Sequence, residues 1–170
     1  MMFTNRPSKR PAAVAGTFYP GSPAELRRHV DQMLAAAPRR AQGAAPKVLI
    51  APHAGYVYSG PVAASAYAAL GDTAGRIRRV VLLGPAHRVA VRGLALPGVE
   101  RFETPLGSVE IDADAVAALR GLPQVIESPQ AHAAEHSLEV QLPFLQRLLG
   151  DFRLVPLAVG SATRGDRKLT

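Results

Sequence analysis

The sequence predicts an α/β fold in three α/β/α layers, with a mostly parallel central sheet covered on both faces. Two observations carry this. Three short apolar runs, Val48-Leu49-Ile50-Ala51, Val80-Val81-Leu82-Leu83 and Leu154 to Val159, do not alternate with polar residues, which suits strands buried on both sides. Between the first two, Pro61 to Leu70 is Ala-rich and helical in composition, completing a β-α-β unit.

The remaining elements follow in order. Ser22-Pro23-Ala24-Glu25 reads as a helix start, with Ser as N-cap, Pro at the first helical position and Glu closing a capping box. Leu26, Val30, Met33 and Leu34 then share one face, and the helix should stop near Pro38. Arg39 to Pro46 is basic, aperiodic and Ala/Gly-rich, hence a loop. A hairpin is expected over about Leu94 to Ile111, with Val109 and Ile111 alternating against Glu103, Glu110 and Asp112. Asp112 opens a helix, and another runs from about Ser137 to Leu149, where Pro143 should restrict or kink it. Pro156 is awkward for a central strand and points to an edge or a bulge.

Bulk properties narrow the function classes. A chain of 170 residues fits one domain. The net charge of +7 is carried by the flanks: residues 1–46 hold seven basic and two acidic residues, residues 161–170 three and one, and residues 47–160 ten of each. The body therefore lacks the field that would hold a phosphate backbone, and with aromatics at 5% no nucleic-acid partner is expected. No apolar stretch is long enough to span a bilayer, and no signal peptide is visible, so a cytoplasmic protein with no membrane association is expected. Cysteine is absent, so thiolate ligands cannot come from this sequence. No P-loop or dinucleotide fingerprint is present.

The histidines are more informative. The first apolar run leads into Pro52-His53-Ala54-Gly55-Tyr56 and the second into Gly84-Pro85-Ala86-His87. In open parallel sheets ligands bind beyond the carboxyl ends of the strands. Neighbouring strands lie about 5 Å apart, so His53 and His87 can converge on one ion. Imidazole suits iron, copper, zinc or nickel. Gly55 and Gly60 let the backbone approach a ligand, and Tyr56, Tyr58 and Ser59 offer pocket walls and polar contacts. His29, mid-helix, and His132, in a polar loop, read as surface residues. Glu135-His136-Ser137-Leu138-Glu139 has two readings. It is either a helix N-terminus capped by Ser137, or it brings His136 into the pocket as a third ligand, proton shuttle or supporting partner.

These residues resemble the Memo family, whose bacterial members are known as protein B of the AmmeMemoRadiSam system. The matching pieces are Arg10-Pro11-Ala12-Ala13-Val14-Ala15-Gly16-Thr17-Phe18-Tyr19-Pro20, Ala51 to Tyr56 with Tyr58 to Gly60, Leu83 to His87, Thr104-Pro105-Leu106-Gly107, and Glu135 to Glu139. The resemblance implies a fold like that of class III extradiol dioxygenases, non-haem iron enzymes that open catechol rings. It implies His53 and His87 as metal ligands, with His136 matching a motif histidine that takes a catalytic, proton-moving role here. The animal Memo protein is associated with iron or copper redox chemistry and with phosphorylated receptor peptides. Family members continue with further strands, a Ser-Asp-x-x-His-type motif and a remaining ligand, whereas here the match fades after Val159-Gly160. The organisation expected is therefore a basic tail (1–9), the N-terminal portion of a Memo-like domain (10–160) and a divergent or truncated tail (161–170).

The function expected is a metal-binding protein with an iron- or copper-type site, zinc being the other candidate, and redox or dioxygenase-like chemistry. The rivals are a non-catalytic peptide- or protein-binding module that reuses the cleft, a zinc hydrolase, and an inactive short form. A radical-SAM enzyme and an AMMECR-type protein are partners implied by the resemblance, and homo-oligomerisation is expected if sheet edges are left open.

Overall fold

A computed structural model describes residues 8–38 and 46–161. Most of both predicted tails and of the predicted 39–46 loop lie outside the described residues. The chain is a mixed α/β structure with two sheets and several helices, in line with the class expected.

The N-terminal helix forms as its sequence dictates. α1 (Pro23–Ala36) is capped by Ser22, whose side chain accepts from the Glu25 amide at 3.5 Å, and it buries Leu26, Val30 and Met33. α2 (Tyr56–Ala68) starts a turn earlier than composition indicated and carries Pro61 inside it. Its Gly60 lets it lie close against α1, because a Cβ there would fall 2.5 Å from Met33 Sδ. A 3₁₀ turn, Gly71–Arg76, leads into the strand that starts at Arg79.

Two sheets share the strands. The first is β1 (Lys9–Arg10), β4 (Arg101–Thr104) and β5 (Gly107–Glu110) in the order β1-β4-β5. The second contains β2 (Arg79–Pro85), β3 (Leu94–Leu96), β6 (Val125–Glu127) and β7 (Arg153–Val159), ordered β2-β7-β3-β6. The pairs β2–β7, β3–β6 and β1–β4 are parallel; β3–β7 and β4–β5 are antiparallel. The expected hairpin is thus confined to β4 and β5, while β3 leaves for the other sheet.

Several expectations are corrected. Val48 to Ala51 forms no strand: a cavity of about 660 Å³, rather than a hydrogen-bonded ladder, separates it from β2. β7 is central, not an edge, despite Pro156. The Leu154 carbonyl accepts from the Asp112 amide, and Ala158 pairs with Ala95. Pro156 points the same way as both, so its missing N–H falls in the gap between the two contacts and breaks no bond to β2. Pro143 does not kink a helix; it sits in the first turn of α5 (Leu142–Leu149), where the amide has no intrahelical partner. A 3₁₀ turn, Glu139–Gln141, precedes it. Asp112 caps α3 (Ala113–Leu119) as expected, accepting from the Ala115 amide.

His132 is the largest departure. It lies in α4 (Pro129–Ala133), fully buried, with Nε2 donating to the Ala95 carbonyl at 2.8 Å and Phe102 edge-on to its ring. Burial pushes its pKa down to about 4. His29 is half-buried and meets the Tyr56 ring edge-on.

The main core joins α1, α2 and α5 to the sheets, with Phe102, Phe144, Leu142 and Leu154 among its fully buried members. A smaller cluster of Val91, Ala95, Ala131, Leu138 and Ala158 lies apart from it. The outer side chains of β2, Val81 and Leu83, are exposed, so the three-layer cover stops short of this strand.

Candidate metal centre

Three histidines meet where β2 ends. His53 follows the 46–52 segment, His87 follows β2, and His136 comes from the loop between α4 and the Glu139–Gln141 turn. Their rings lie 5.2 Å (His53–His87), 5.8 Å (His53–His136) and 4.6 Å (His87–His136) apart, the last pair stacked. One ring nitrogen from each lies within 4.8 Å of the other two. His53 and His136 are half-buried, and His87 opens to solvent.

Each histidine has its own support. The His53 segment is tied by Gln141, whose Nε2 donates to the Pro52 carbonyl at 3.1 Å while its Oε1 accepts from Tyr67. His87 is held by Glu135: its amide donates to Oε2 at 2.6 Å, and Nδ1 pairs with Oε1 at 2.9 Å. With Nδ1–H engaged in this way, the Nε2 lone pair is free for a ligand. His136 packs on the Phe18 ring, and the Phe18 carbonyl accepts from the Tyr56 amide.

The loop carrying Glu135 and His136 is clamped from below. Arg10 Nε donates to the His132 carbonyl, Nη2 to the Glu135 carbonyl, and Nη1 to Glu139 Oε2 at 2.6 Å. Glu139 also accepts from the Ala13 and Val14 amides and from the Tyr19 hydroxyl. Glu139 therefore faces the core, away from the histidines. Ser137 does not cap a helix: its hydroxyl donates to the Pro85 carbonyl at 2.9 Å. That contact needs Gly84, where a Cβ would sit 2.6 Å from Ser137 Oγ.

The electrostatics suit a cation. Burial lowers the pKa of His53, and the neighbouring His87 adds to this. Burial likewise lowers His136, with His87, His53 and Arg88 contributing and Glu135 opposing. Both rings are thus biased to the neutral form that ligates metals. Burial alone would raise Glu135, but bonds from His87 and Ser137 outweigh it and bring its pKa to about 2. His136 Nδ1 is buried without a hydrogen-bond partner, 3.4 Å from Glu135 Oε1. Three converging imidazoles, those of His53 and His136 biased to the neutral form, and one orphaned nitrogen fit a borderline metal ion such as iron, copper or zinc.

The other residues singled out in the sequence are placed differently. Tyr56 is in the core, its hydroxyl donating to the Val140 carbonyl. Tyr58 is exposed on α2, Gly55 is the N-cap residue of that helix, and Ser59 donates to the Ala54 carbonyl. Sequence reasoning left Arg10, Gln141 and Glu135 without roles. Glu135 and Arg10 lie inside the motifs that carried the resemblance, yet nothing local shows that their partners sit 48 and 129 positions away.

The Memo-like protein family matches residues 10–169. The chain belongs to the Memo family. A MEMO1 family protein of Ignicoccus hospitalis is 42% identical over 162 residues, covering 88% of this chain and 56% of its own. That of Methanopyrus kandleri is 42% identical over 162 residues (89% and 56%), and that of Aquifex aeolicus 39% over 151 residues (88% and 54%). This Memo-family chain thus spans little more than half the length of these relatives.

Proposed function

We propose that this Memo-family chain binds an iron- or copper-type metal ion through His53, His87 and His136. The observation carrying this is the convergence of one ring nitrogen from each histidine within 4.8 Å. A bound ion of this kind supplies Lewis-acid polarisation of a substrate oxygen and, with iron or copper, redox capacity. Glu135 fixes the tautomer of His87, Gln141 holds the His53 turn, and the Phe18 ring shields His136 from solvent. The exposed side of His87 leaves room for a substrate.

The test is metal content by mass spectrometry on chain purified without chelator or affinity metal. Near-stoichiometric iron or copper is expected, and it should be lost in the His53→Ala/His87→Ala double variant. Metal retained by that variant, or none in the parent after loading with ferrous or cupric ion, would overturn the assignment.

A further inference from the structure

We propose, on the basis of the histidine site described above, that Arg10 is a positioning residue of the metal centre. Buried outside the pocket and touching none of the three histidine side chains, it sets the peptide plane between Glu135 and His136 and so aims both side chains.

β1 pairs with β4 so that Arg10 stands opposite Phe102, and the guanidinium lies 4.9 Å over that ring with 4% of the residue exposed. The short helix α4 ends at Ala133, and the chain turns at once into Glu135 and His136. The His132 carbonyl at that helix end accepts from the Glu135 amide at 3.2 Å and from Arg10 Nε at 2.6 Å. The Glu135 carbonyl accepts from Arg10 Nη2 at 2.7 Å. One planar guanidinium thus holds both ends of the turn, while its third nitrogen, Nη1, meets Glu139 Oε2. The helix side of the turn is pinned independently, since the His132 ring donates to the Ala95 carbonyl of β3. The freedom that Arg10 removes is therefore that of the Glu135 peptide plane.

The Glu135 carbonyl belongs to the rigid peptide unit that leads to His136. Holding it fixes the direction in which the Glu135 carboxylate and the His136 ring leave the backbone. The carboxylate then reaches the amide and ring of His87, 48 positions away. Without the guanidinium both carbonyls lose a charged donor in a buried setting, which the turn relieves by rotating. The fork matters here: a lysine ammonium is a point charge that can follow Glu139 but cannot present three separated donors in one plane. If Arg10 served stability alone, metal affinity would track stability. A positioning role separates the two.

Two variants remove the fork without stranding a carboxylate: Arg10→Lys keeps a charge beside Glu139, and Arg10→Met/Glu139→Leu leaves neither charge. Val116→Ala, a core truncation on α3, is the destabilised control. Ferrous-ion affinity is measured by competition titration, and the His87 amide proton is followed by NMR in the metal-free chains. Both Arg10 variants should lose about tenfold or more in affinity, whereas Val116→Ala keeps the parent value. The His87 amide proton, which donates to Glu135 at 2.6 Å, should move upfield in the Arg10 variants alone. Parent affinity in either folded Arg10 variant, or an unmoved His87 amide, would overturn the proposal. A parent chain that loads no ion would refute the histidine site instead, and the amide shift then decides the role of Arg10 by itself.

Discussion

Glu135 is the residue on which the histidine geometry turns. It is buried, accepts from both the amide and the ring of His87, and receives the Ser137 amide. A carboxylate behind a ligating imidazole fixes the ring and raises its basicity, and loss of such a partner costs 10–100-fold in metal affinity. Glu135→Gln keeps the shape but removes the charge. Its affinity for the loaded ion should fall by about that factor with the unfolding temperature little changed; unchanged affinity in a competition titration would refute the role. At this scale the approach of His53 and His87 to one another was legible in the sequence, because each follows an apolar run and a Pro-containing turn. The sequence was misleading for His132, whose segment reads as a loop and conceals that α4 turns its ring beneath Phe102. Period and composition report which elements form. They do not report which loop residue faces inward.

At the scale of elements, the loop between α4 and the Glu139–Gln141 turn is set by a buried pair. Arg10 and Glu139 are almost wholly inaccessible and meet at 2.6 Å, with Arg10 stacked over Phe102. Removing one partner of a buried pair strands the other charge and costs about 3–5 kcal/mol, whereas replacing both with apolar groups costs far less. Glu139→Leu should therefore destabilise the chain by that amount in denaturant unfolding. The Arg10→Met/Glu139→Leu double variant should recover a large part of the loss, and strictly additive effects would contradict the pairing. No local pattern signals this contact, which joins positions 129 residues apart. Pro143 and Pro156 show the converse. Each was read as a disruption that the structure does not show, because only the neighbours decide whether a proline ends a ladder, starts a helix or falls in a gap between hydrogen bonds.

For the whole molecule, the α/β class was readable from three apolar runs, and the Memo family from motifs spread between Arg10 and Glu139. The first run departed from expectation because a strand exists only where a partner supplies its ladder. Val48 to Ala51 has the composition of a strand, but a cavity separates it from β2. The histidines nevertheless converge across that trough, because Glu135, Gln141 and the Gly84–Ser137 contact hold the turns from the far side. The account's central claim is that the three imidazoles form one donor set. X-ray absorption spectroscopy on the iron- or copper-loaded chain, beside His136→Ala, tests it most directly. Three imidazole scatterers in the parent and two in the variant are predicted; a parent spectrum with two or fewer, or one that His136→Ala leaves unchanged, would contradict the claim.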